Sequence, residues 1–137
     1  MNKNISFHYS ANLAQTDYAY ASRVPSGMDL LYLAGSCPLD KDGKILHPNN
    51  YRLQAETCVD NLKEALSVSG ATLNDVAYTR VLVASQDRSD LVAAWETIRS
   101  MFGEHDVPST LSGVTVLGYP DQLVEIEAVA AIEAVSK

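Results

Sequence analysis

Apolar and polar residues alternate through residues 108–131 in two runs, PSTLSGVTVLG and LVEIEAVA, joined by Tyr119-Pro120-Asp121. This pattern predicts two strands and a turn. Side chains alternate along a strand, so Glu125 and Glu127 share one face while Val124, Ile126 and Ala128 share the other. Two carboxylates on one side of an otherwise apolar strand are costly unless that side has a role.

Residues 29–35 (DLLYLAG) form a short apolar run bounded by turn residues. They read as a buried strand, paired with residues 18–24 across Pro25-Ser26-Gly27. Asp40-Lys41-Asp42-Gly43 reads as a turn, and Pro48-Asn49-Asn50 as a loop entering a helix. That helix spans Tyr51–Val68, with Ala55, Cys58, Val59, Leu62, Ala65 and Leu66 in one stripe and Gly70 as a left-handed cap. A second helix spans residues 90–102, with Ser89 as N-cap and Gly103 as its stop. Its stripe is Leu91, Ala94, Trp95, Ile98, Met101 and Phe102. Between the helices, Val76–Ala84 is rich in β-branched residues and reads as a strand.

The order is strand, strand, helix, strand, helix, strand, strand. Each helix has one apolar stripe, and both are satisfied on one face of a mixed sheet. This is an α+β, split βαβ arrangement, a single domain over residues 1–137. The opposite face has no helix to cover it. Its outward set joins Val114, Val116, Val129 and Ala131 to Thr110, Ser112, Glu125 and Glu127. So large an apolar patch predicts a homo-oligomer of cyclic symmetry. Small-molecule pockets are then expected at the subunit boundaries, beside the polar members of that face.

Charge narrows the partners. The chain has 137 residues and a net charge of −7, and its Lys and Arg are scattered. A nucleic-acid groove needs them clustered, so no nucleic-acid partner is expected. No apolar run approaches the roughly 20 residues of a membrane span, and the first residues lack a signal-peptide apolar region. Two cysteines are too few for a disulfide framework. The expected setting is the cytoplasm, with no membrane partner.

Glu125 and Glu127 are the first candidates for chemistry. Desolvation and a like-charged neighbour both raise a carboxylate pKa and would suit one of them to acid–base work. The alternative is an ion pair with a basic residue across an interface. Cys37, after Gly35-Ser36, lies near the expected cleft. No histidine is placed beside it to activate a thiolate, so a packing role competes with a ligand-binding one. Cys58 lies in the helical stripe and reads as packing. No metal site is expected: His8, His47 and His105 are isolated, and the loop opening at Asp40 has Lys44 and Tyr51 where calcium requires oxygen ligands. There is no phosphate-binding glycine loop and no nucleophile elbow.

LYLAGSCPLDKDG resembles the second-strand signature of the RidA/YjgF reactive-intermediate deaminase family. QAETCVDNLKEALSVSGATLNDVAYTRVLVA resembles its first helix and third strand, and PSTLSGVTVLG with LVEIEAVA its closing strands. The similarity covers about residues 18–132. It implies a chorismate-mutase-like fold, a homotrimer, and three intersubunit clefts for small carboxylates. It also implies cofactor-free hydrolysis of enamine and imine intermediates to ammonia and a 2-keto acid.

Carried over by residue, the resemblance makes Glu125 the water-positioning, catalytic glutamate. Tyr20, Gly35, Ser36, Cys37, Trp95 and Thr110 become ligand-binding positions. The match departs in four places. Thr110 replaces the arginine that clamps the substrate carboxylate, Ala34 replaces a serine, Trp95 an asparagine and Ser112 a cysteine. Threonine cannot make the bidentate contact of a guanidinium, and losing such a pair costs about 2–5 kcal/mol. Arg23 or Arg80 could supply the charge instead, or the ligand could be neutral. A non-catalytic metabolite-binding trimer is the competing reading; ribonuclease activity, known within the family, fits the acidic chain least.

Overall fold

A computed structural model describes residues 4–135; residues 1–3 and 136–137 of the expected domain lie outside the described residues. The elements run β1 (Ser6–His8), β2 (Ala21–Arg23), β3 (Met28–Tyr32), α1 (Tyr51–Val68), β4 (Val76–Ala84), α2 (Arg88–Phe102), β5 (Ser109–Val114) and β6 (Val124–Glu133).

α1 begins where the pattern predicts. The Asn50 side chain accepts the Leu53 N–H at 2.9 Å, satisfying one donor that a helix start leaves open. Ala55, Cys58, Val59, Leu62 and Leu66 are buried, and Gly70 takes φ 83° just past the end. α2 starts at Arg88, two residues earlier than expected, and its N-cap is Asp87 rather than Ser89. The Asp87 carboxylate accepts both the Ser89 N–H at 2.9 Å and the Ser89 hydroxyl at 2.8 Å. A carboxylate also opposes the positive end of the helix dipole, which favours it over a hydroxyl.

The main sheet has the order β3-β6-β4-β5. β5 runs parallel to β4 after the α2 crossover, and β6 returns antiparallel on the other side of β4. The two closing strands therefore flank β4 rather than each other. Inward-facing Val81, Val83, Val124, Ile126, Ala128 and Ala130 join the stripes of α1 and α2 in one buried core.

The hairpin expected between residues 18–24 and 29–35 does not form. β2 pairs with β1, and β3 pairs with β6 as an edge strand. Pro25 has no N–H to extend a ladder into the turn. Hydrogen bonds from Tyr20 N–H to His8 O (3.0 Å) and from the Ser22 hydroxyl to Ala77 O (2.6 Å) carry β2 elsewhere. The strand in 29–35 is also less buried than predicted: Leu30 and Tyr32 are exposed.

This rearrangement changes the uncovered face. Ile5 is buried with Ala77 and Ala131, and Phe7, Val24 and Met28 pack around them. The β1–β2 hairpin thus caps one end of the face and buries Ala131, which lies on that face as expected but is not open to solvent. The remainder stays open, with Leu30, Tyr32 and Tyr78 exposed.

Candidate active site

Strand register sorts the open face into rows. Tyr32, Val129 and Tyr78 form one row, Glu127, Arg80 and Thr110 the next, and Glu125, Leu82 and Ser112 the third. The paired-carboxylate reading of Glu125 and Glu127 separates here. Glu127 meets Arg80 within its own sheet, Oε1 to Nε at 3.4 Å, with both side chains about half exposed. Thr110 accepts a hydrogen bond from the Tyr78 hydroxyl at 3.2 Å and lies directly beside Arg80 in the β4–β5 register.

Glu125 has different neighbours. Just beyond β3, Ser36 makes two backbone hydrogen bonds with Ile126, at 2.7 and 3.0 Å. Because sides alternate along the chain, this bridge turns Ser36 toward the core and leaves Gly35 and Cys37 beside Glu125. The Ser36 hydroxyl is then taken up by Cys58 O at 2.6 Å, a structural contact. Gly35 leaves the space that the Glu125 carboxylate fills; a Cβ there would overlap Oε2. The Cys37 thiol reaches Glu125 Oε1 at 3.4 Å and Gly35 O at 3.5 Å. Burial, and then the adjacent carboxylate, push its pKa up to about 11. At neutral pH Cys37 is therefore a protonated donor, not a nucleophile.

Sequence reasoning missed Gln122. Its Nε2 donates to Glu125 Oε1 at 3.2 Å and to Val124 O at 3.1 Å, while its own Oε1 accepts the Tyr119 N–H at 3.2 Å. Residues three apart on a straight strand point to opposite faces. The turn through Asp121, at φ 65°, brings Gln122 round to Glu125. Fully buried Gln54 of α1 braces the same turn, donating to Asp121 O at 3.0 Å and accepting the Leu123 N–H at 2.8 Å.

Tyr20 and Trp95 are engaged elsewhere. The Tyr20 hydroxyl donates to Ala14 O at 2.6 Å, and Tyr20 lines a surface cleft with Tyr9, Leu13 and Asp106. Trp95 packs on the helix side of the sheet; its indole N–H donates to Asp17 at 3.0 Å and its ring meets Tyr18 edge-on. Within one subunit, then, Gly35, Cys37 and Gln122 gather around Glu125, Thr110 stands in the neighbouring row, and Tyr20 and Trp95 order residues 14–20. Among the described residues, no cluster of three or more His, Cys, Asp or Glu could hold a metal ion, and no helix is long and apolar enough to cross a membrane.

Comparison with known proteins places the chain in a family. The profile of the family described as Endoribonuclease L-PSP matches residues 10–132. The 3-aminoacrylate deaminase RutC of Acinetobacter baylyi is 27% identical over 104 residues, covering 76% of this chain and 80% of that protein. A RutC family protein of Pyrococcus horikoshii is 34% identical over 113 residues, covering 81% and 85%. The crystal structure of the Rid-family protein YyfB from Yersinia pestis superposes with a TM-score of 0.87 at 26% identity, covering 94% and 99% of the two chains. With a family profile matched over residues 10–132, a RutC family relative at 34% identity and a Rid-family structure that superposes over 94% of the chain, the chain belongs to the RidA/YjgF family.

Proposed function

We propose that this protein is a cytoplasmic homotrimer that hydrolyses a small imine or its enamine tautomer without a cofactor, in clefts where one subunit's open face meets the next. The observation that carries this reading is the Glu125 carboxylate, set over Gly35 on the sheet face opposite the helices. The RutC name of a relative gives 3-aminoacrylate as the first substrate to try. Protonation of the enamine carbon by water, with loss of an N–H proton to water, gives the imine. Water then adds to the imine carbon as Glu125 takes its proton. That proton passes to nitrogen to give the carbinolamine; Glu125 then takes the hydroxyl proton and hands it to the same nitrogen, so the C–N bond breaks and ammonia leaves as the carbonyl forms.

The substrate carboxylate needs a cation, and Thr110 has none. Arg80 stands one strand away, about 4.8 Å in sheet spacing, and meets only Glu127 through its Nε among the described residues. Its terminal nitrogens can take a carboxylate while the Thr110 and Tyr78 hydroxyls add hydrogen bonds.

Ammonia release from 3-aminoacrylate and related short-chain imines is the test. Glu125→Gln should lower it about 10²–10⁴-fold with the assembly intact, and equal rates remove Glu125 from the reaction. A competing reading, favoured by the uncharged Thr110, is a trimer that binds a metabolite and leaves it unchanged. A ligand that raises the melting temperature yet is never consumed supports that reading.

A further inference from the structure

We infer that Cys37 and Gln122 are positioning residues for Glu125: together they hold Oε1, so that Oε2 is the oxygen that exchanges the proton with water and substrate. The inference rests on the hydrolytic reading above, but its geometry stands apart from it.

The carboxylate is divided between two environments. Oε1 takes the Cys37 thiol at 3.4 Å and the Gln122 amide at 3.2 Å. Oε2 has no partner among the described residues, and it is not a buried, unsatisfied atom, so it keeps access to solvent. It lies over Gly35, the one residue type that leaves its space clear. Two donors on one oxygen fix the torsion of a side chain that would otherwise rotate, and a base held in one orientation abstracts a proton more effectively than a mobile one.

The two donors suit this work. The thiol has two acceptors in reach, and the charged Oε1 attracts its hydrogen more strongly than the Gly35 carbonyl. With its pKa at about 11, it remains a donor through the whole neutral range. Gln122 is itself fixed at three points and 96% buried, so its amide cannot swing away. Neither residue needs to touch substrate.

The test compares Cys37→Ala with Cys37→Ser in the intact protein. Alanine removes the donor and should cut kcat about tenfold with KM within twofold; serine restores an O–H donor and should recover most of the loss. Gln122→Leu should act in the same direction, but it also loosens the turn, so the Cys37 pair decides. The infrared S–H stretch reads the contact without turnover. The Cys37 band, identified by its loss in Cys37→Ala, should shift to higher frequency in Glu125→Gln, while the Cys58 band stays in place. A Cys37 band that ignores Glu125→Gln overturns the inference, as does a serine variant no better than alanine. If wild-type protein turns over nothing, the hydrolytic reading and the role of Oε2 fail, and the S–H band alone then decides whether Cys37 anchors the carboxylate.

Discussion

The carboxylate of Glu125 occupies the space a side chain at residue 35 would need, so Gly35 and Glu125 are sterically coupled beside the Ser36–Ile126 bridge. The resemblance made Gly35 a ligand-binding position. The structure gives it a prior duty, which is to make room for the acid. Gly35 does not have a positive φ, so alanine meets no backbone strain there. Gly35→Ala should therefore act only through Glu125, displacing it at a cost of about 1–3 kcal/mol in stability. Thermal melting and ammonia release should fall together. Wild-type turnover in Gly35→Ala would mean that the position of the carboxylate does not matter.

Cys37 should resist alkylation. With its pKa near 11, little thiolate exists at pH 8. Glu125→Gln removes the negative charge and the charged hydrogen-bond acceptor, leaving burial as the main cause of the shift, so the thiol pKa should fall and alkylation accelerate. The rate with iodoacetamide as a function of pH, in both proteins, checks the direction. An unchanged profile would show that the carboxylate does not act on the thiol.

Arg80 and Thr110 can be exchanged across the β4–β5 pair. Arg80→Thr should raise KM for a carboxylate-bearing substrate about 10–100-fold and change kcat less. Adding Thr110→Arg should restore much of the loss, because it returns a guanidinium one strand over. Arg80→Thr with unaltered KM would assign the cation elsewhere or make the ligand neutral.

His105 ties stability to pH. It is 3% exposed, between Phe7 and Phe102, and its Nε2 lies 2.7 Å from Val76 O. A carbonyl can only accept, so Nε2 carries the proton and Nδ1 is left without a partner. Burial is the main cause that lowers the imidazole pKa in the folded state. Above the unfolded value of about 6.5 both states are neutral and stability is full. As pH falls below it, the unfolded chain binds the proton first, and stability drops until the folded pKa is passed. Chemical denaturation between pH 7.5 and 5 should show this loss in wild type and a smaller one in His105→Gln. Identical slopes would acquit His105.

What could be read from the sequence was what short-range periodicity controls. The alternation of β6 placed Glu125 and Glu127 on the correct face, and the stripe from Ala55 to Leu66 described α1 closely. What escaped it depended on distant groups. Tyr18 to Val24 looked like the partner of the next strand, yet it is held by His8 and Ala77, neither nearby in sequence. Asp87 displaced Ser89 as a cap because the carboxylate could accept the serine's own N–H and O–H. Gln122 carried no periodic signal, since its place beside Glu125 depends on the left-handed turn at Asp121 and on Gln54 across the core. The resemblance supplied Glu125 and Gly35 as site residues. It could not show that Glu127 is engaged by Arg80, or that Ser36 faces inward.

The proposed intersubunit cleft requires one subunit's exposed Leu30, Tyr32 and Tyr78 to meet another copy of the chain. Sedimentation equilibrium of the intact protein at micromolar concentration measures this directly. The expected mass is three times the 14.9 kDa of one subunit. A single species at 14.9 kDa across that range would leave Glu125 on open solvent and contradict the intersubunit site.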